Sequence, residues 1–131
     1  MTTKEFNKKI ESGEAKVLTV EAAKALEGQD IYYTYFGYNR QNIAKITVAK
    51  IQTEMEAYEN DHSVEGYASR AEYWRKNLDP KRVKELEATL VLPDELGSYT
   101  LRAYYNNPEY QEPTFTCSDS DREVYYLPYQ G

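Results

Sequence analysis

Phe6 and Ile10 stand four apart in the otherwise polar run "TTKEFNKKIESGE", a spacing that stacks both on one face of a helix. Thr3 is the expected N-cap and Gly13 the stop. "AKVLTV" then reads as extended, and "TVEAAKALEG" as a second short helix capped by Thr19 and ended by Gly28. Neither helix is long enough to hold its shape alone, so both must pack on something.

"DIYYTYFGY" is the strongest strand pattern, because β-branched and aromatic side chains suit a pleated surface. Ile31, Tyr33 and Tyr35 point one way and Tyr32, Thr34 and Phe36 the other, so both faces are aromatic. That is unlike an edge strand with one wet side. After a turn at "GYNRQN", Ala44, Ile46 and Val48 alternate with Lys45 and Thr47 in "IAKITVAKIQ", which predicts the partner strand of a hairpin. Ile51, Met55 and Tyr58 at helical spacing offer a competing helix over residues 43–58.

The polar stretch around residues 59–66 reads as a loop. Ser69 and Glu72 have the spacing of a capping box, and Asp79 followed by Pro80 marks another helix start, with Val83, Leu86 and Leu90 on one face. A helix pair is therefore predicted between residues 69 and 90. From "LVLPDELGSYTLRAYY" the pattern returns to strands around a turn at Pro93, Asp94 and Gly97. After the loop "NNPEYQEP", "TFTCSDSDREVYYL" predicts a final hairpin with "SDSDR" at its tip.

Helices that interrupt strands instead of alternating with them favour a mostly antiparallel α+β fold. Two versions fit: a small curved SH3-like barrel with short N-terminal helices and a helical-pair insertion at about 69–90, or an open sheet with helices on one face. No linker or repeat divides the chain, so residues 1–131 are expected to form a single domain.

Composition changes the picture in one respect. The hydrophobic fraction of 40% includes 14 tyrosines. Leu, Ile, Val and Phe together make up only about 18%, within the range that accompanies disorder when net charge is high. Many tyrosines are therefore expected in the core. The formal net charge of −6 argues against direct nucleic-acid binding and against an anionic membrane surface. With no long apolar run and no signal-peptide pattern, a cytoplasmic protein is expected. The lone Cys117 rules out an internal disulfide and reads as a small buried strand residue.

Candidate chemistry is sparse. His62, the only histidine, lies among Glu59, Asp61 and Glu65, but no serine elbow or comparable setting accompanies it. Asp119, Asp121 and Glu123 could deliver oxygens to a hard cation, yet they lack the central glycine and late glutamate of a calcium loop, so turn chemistry explains them. No glycine-rich phosphate cradle occurs. Neither catalytic residues nor a metal nor a cofactor is expected.

The tyrosines left over after core filling suggest a binding face, since rigid aromatic rings and arginine dominate contact hot spots. Candidates are Tyr38, Arg40, Tyr73, Trp74, Tyr104, Tyr105, Tyr110 and Tyr129. Glu54, Glu56, Glu59, Asp61, Asp119 and Asp121 are the acids that could imitate phosphates toward a basic groove. The expectation is a non-catalytic protein-binding module, an acidic tyrosine-rich inhibitor whose partner is a nucleic-acid-handling enzyme. Two alternatives are a small-molecule or nucleotide-binding domain with a tyrosine-lined pocket, and a single-strand platform built on "IYYTYFGYNR".

Overall fold

The structure is a computed structural model that describes residues 1–37, 40–104, 113–117 and 122–129. Five helices and eight strands follow one another as α1 (Thr3–Glu11), β1 (Lys16–Val17), α2 (Val20–Ala25), β2 (Asp30–Gly37), β3 (Arg40–Thr47), β4 (Gln52–Thr53), α3 (Glu54–Glu59), α4 (Arg70–Asn77), α5 (Pro80–Ala88), β5 (Thr89–Leu92), β6 (Leu101–Tyr104), β7 (Thr116–Cys117) and β8 (Tyr125–Pro128). The strands form two antiparallel sheets of four, ordered β1-β8-β2-β3 and β4-β5-β6-β7. This is an α+β fold. The strands expected in one sheet are divided between two, and neither sheet closes on itself among the described residues.

The division falls where the chain changes sheets. After Thr47 the β2–β3 hairpin ends, and Gln52–Thr53 joins the second sheet beside β5 before α3 begins. Residues 43–58 thus hold both of the expected alternatives, strand first and helix last. The C-terminal hairpin is divided in the same way. Phe115 and Val124 still meet through an antiparallel backbone bond, but β7 pairs with β6 while β8 lies between β1 and β2. Its tip at 118–121 lies outside the described residues.

Packing explains the two-faced β2. Between the sheets, Ile31, Tyr33, Ala44, Ile46 and Val48 meet Leu92, Leu101, Ala103 and Phe115 in the main core. The opposite face of β2 and β8 carries Tyr32, Tyr125 and Leu127, and α1 lays Phe6 and Ile10 against them. Flanked by β8 and β3 and covered on both faces, β2 is central, as its sequence requires. Cys117 is buried in β7.

Of the ten tyrosine side chains described, only Tyr33 is wholly buried; seven are half-buried and two, Tyr99 and Tyr129, are exposed. The tyrosines mostly border the cores. Each half-buried ring contributes apolar area while its hydroxyl stays near water.

The caps differ in detail from expectation. Thr2, not Thr3, caps α1 by accepting from Glu5 N–H at 3.1 Å. Ser69 accepts from Glu72 N–H, but Glu72 reaches back to Ala68 N–H, so only half of a capping box forms. A complete box sits instead at Thr53 and Glu56. Asp79 and Pro80 start α5 as expected, and Leu90 lies beyond its end in β5. Gln41 and Asn42 belong to β3 and not to the turn, and Gln41 exchanges amide hydrogen bonds with Asn7 of α1. Among the described residues, no helix is long and apolar enough to cross a membrane.

Candidate functional site

Helices α3, α4 and α5 pack around Met55, Ala71 and Leu86, with Tyr58, Trp74, Leu78 and Val83 at the margin. The capping box turns the chain into α3 directly after β4, and the Ser69 cap starts α4 after a ten-residue loop (60–69). These two starts set four aromatic rings in sequence. Tyr67 meets Tyr73 edge-on at 5.2 Å, Tyr73 tilts against Trp74 at 4.9 Å, and Trp74 reaches Tyr58 at 6.5 Å. Every ring in this ladder is half-buried.

The segment that carries the ladder is acidic, although Lys76 Nζ lies 5.8 Å from the centre of the Tyr67 ring. Residues 54–77 hold six carboxylates and three cations, and thus half of the chain's net charge of −6. The three cations are all engaged: Arg70 Nε lies 2.8 Å from Asp61, Arg75 2.9 Å from Glu59 and 4.0 Å from Glu87, and Lys76 2.8 Å from Glu72. Hydrogen bonds from the Ser63 hydroxyl and N–H hold the Asp61 carboxyl below its usual range, with the Arg70 charge adding to them. Glu72 is held low by its bond from Lys76 and then by that from Ala68 N–H.

One charge lies beneath the surface. Glu54 is only 6% exposed, where its Oε1 accepts from the Tyr58 hydroxyl at 3.1 Å and sits 3.1 Å from Arg102 Nη2. Burial, followed by the Glu54 charge, raises the Tyr58 phenol above its usual pKa. The indole Nε1 of Trp74 is also buried and has no hydrogen-bond partner among the described residues.

Of the residues singled out in the sequence, the helices bring together Tyr73, Trp74, Glu54, Glu56, Glu59 and Asp61. Glu54 is the exception in kind: it is a buried tie between α3 and β6, not a surface acid. Glu59 and Asp61 are surface acids with cationic partners, and Glu56 is spent partly on the α3 cap. Arg40 is exposed at the start of β3. Tyr129 is exposed on the first sheet, edge-on to Tyr32 at 5.1 Å with Lys45 Nζ 3.8 Å from its ring centre. No ring contact among the described residues joins it to the ladder. Tyr104 lies in β6. Tyr38, Tyr105, Tyr110, Asp119 and Asp121 lie outside the described residues.

Tyr58 and Tyr67 were missing from that set. Tyr58 reads as a core residue by its helical spacing to Met55, and Tyr67 stands in a polar loop with no periodicity to mark it. His62 is exposed and its Nδ1 donates to the Ala68 carbonyl at 2.7 Å. Among the described residues, no group of three His, Cys, Asp or Glu is arranged to hold a metal ion.

Two shallow hollows lie elsewhere. One of about 380 Å³ is lined by Lys24, Glu27, Lys50, Ile51 and Leu90; the other, of about 400 Å³, by Met1, Lys9, Glu14, Tyr32, Leu127 and Pro128. Among the described residues that line them, Tyr32 is the one tyrosine. Comparison of the chain with protein-family models, curated proteins and solved structures gives no match.

Proposed function

We propose that this chain is a non-catalytic protein-binding module, and that it inhibits a basic nucleic-acid-handling enzyme by occupying its groove. The observation that carries the reading is the four-ring ladder Tyr67–Tyr73–Trp74–Tyr58 set in an acidic helical unit. Rigid rings give large contact area at small entropic cost, and surplus carboxylate favours a cationic partner. The pairing of Arg70, Arg75 and Lys76 with carboxylates weighs against direct phosphate tracking by the same rings.

Competition tests the reading. The parent protein is immobilised, lysate from its source is passed over it with and without nuclease, and the retained protein is purified. Added duplex or single-stranded oligonucleotide should then displace it, and Tyr67→Ala with Tyr73→Ala should weaken the complex. A stable ternary complex with nucleic acid would overturn the decoy mechanism.

A second reading, small-molecule binding, is favoured by the hollow beside Tyr32, whose volume lies in the ligand-sized range. Its test is a concentration-dependent rise in Tm on a ligand screen, since anything that binds only the folded state stabilises it.

A further inference from the structure

Four large hydrophobic residues are exposed among the described residues: Met1, Leu96, Tyr99 and Tyr129. Two of them belong to one turn, "PDELGSYT", between β5 and β6. Leu96 at its apex is 85% exposed and Tyr99 38%.

This turn is held in place from several sides. Asp94 Oδ1 accepts from the N–H groups of Leu96 at 2.9 Å and Ser98 at 3.0 Å, and its Oδ2 accepts from the Thr100 hydroxyl at 2.7 Å. The backbone closes with Asp94 N–H to the Ser98 carbonyl at 2.7 Å and Gly97 N–H to the Asp94 carbonyl at 3.0 Å. Gly97 supplies the positive φ of 82° that the closure needs. From below, the hydroxyl of the buried Tyr33 accepts from Glu95 N–H. Gln52 Nε2 donates to the Tyr99 hydroxyl, fixing the far side of the turn.

A single exposed leucine is ordinary on a protein surface. The conjunction is what needs an account: one turn both carries two exposed apolar side chains and is fastened to the core. Ordering a loop beforehand removes that cost from binding, which suits a side chain meant to enter a socket.

We infer that the β5–β6 turn presents Leu96 as an anchor for an apolar socket, rimmed by Lys or Arg, on the partner protein. This rests on the protein-binding reading above and adds to it an anchor and the chemistry of the receptor. Charge selects the occupant. The turn's own residues include Asp94 and Glu95 and no cation, and Arg102, whose Nε donates to the Tyr99 carbonyl at 3.4 Å, is paired with Glu54; with Asp94 committed internally, Glu95 faces solvent. A second copy of the chain would set −6 against −6, and an anionic bilayer would be repelled in the same way. A cationic rim on a different protein is complementary.

The test uses the protein retained from nuclease-treated source lysate, purified and titrated against parent, Leu96→Asp, Glu95→Lys and Tyr73→Ala chains. Leu96→Asp should bind at least about ten-fold more weakly with unchanged Tm, as expected for loss of a hot-spot anchor. Glu95→Lys should slow association and flatten its salt dependence. A photoactivatable thiol reagent on Leu96→Cys, the native Cys117 being buried, should crosslink to a partner peptide containing Lys or Arg. Binding of Leu96→Asp within two-fold of the parent, while Tyr73→Ala is weakened, overturns the anchor and leaves the protein-binding reading standing. A parent chain that retains no protein overturns both. Self-association in sedimentation, or binding to phosphatidylcholine vesicles containing phosphatidylserine, that is lost in Leu96→Asp overturns the choice of occupant.

Discussion

The backbone N–H of Glu95 donates to the hydroxyl of Tyr33, 3.2 Å away, so the β5–β6 turn is tied to the one described tyrosine that is wholly buried. Tyr33→Phe keeps the ring and its stacking on Tyr35 at 5.4 Å but removes the acceptor. Because Glu95 is exposed, its N–H can turn to water, and the cost should be about 1 kcal/mol. Denaturant unfolding measures it. A loss above about 3 kcal/mol would show that the hydroxyl supports more than this bond.

The same burial makes stability sensitive to alkali. Burial is the main cause that raises the Tyr33 phenol above its ordinary value, and Tyr58 shifts in the same direction. The folded state then holds these protons more tightly than the unfolded one. Their stabilisation is complete below the unfolded tyrosine pKa of about 10 and declines as pH rises from there toward the raised folded values. Unfolding free energies at about pH 9 and about pH 11 should fall more steeply for the parent than for Tyr33→Phe. Parallel declines would remove Tyr33 from the effect.

Glu54 joins α3 to β6 through Arg102, whose side chain is 32% exposed against 8% for Glu54. Arg102→Met leaves a buried carboxylate with the Tyr58 hydroxyl as its one remaining side-chain partner among the described residues, and should cost about 2 kcal/mol, below the range for fully buried pairs. Glu54→Gln, which keeps an acceptor for Tyr58, should cost less. In a double-mutant cycle the combined change should fall short of the sum of the two. Additive losses would mean that the pair contributes no coupling.

Local signals in the sequence account for much of this fold. Asp79 with Pro80, Ser69 and Thr19 each start a helix where their side chains can bond the next free N–H, an interaction completed within four residues. The aromatic pattern of β2 required cover on both faces, and it has it. Sheet membership was not legible, because strands as short as β4 and β7 are defined by partners distant in sequence. The helical unit shows the same limit. Tyr73 and Trp74 stand out by residue type, whereas Tyr67 joins them only through a loop closed by Asp61 and Arg70. Glu54 reads as a surface charge because its partner Arg102 comes from a strand much later in the chain.

Trp74 gives the sharpest test of the helical unit. Its Nε1 is buried with no partner among the described protein groups, a defect that costs roughly 1–3 kcal/mol of desolvation where no water relieves it. Trp74→Phe removes that defect together with part of the buried ring, and the two changes oppose each other. The net effect should stay within about 1 kcal/mol, whereas Trp74→Ala, which also loses the contacts to Tyr58 and Tyr73, should cost about 3 kcal/mol. Since Trp74 is the only tryptophan, circular dichroism rather than tryptophan fluorescence must follow the unfolding. A Trp74→Phe loss above about 2 kcal/mol would mean that the indole N–H is satisfied, with a bound water as its acceptor, and that the ladder is bonded as well as packed.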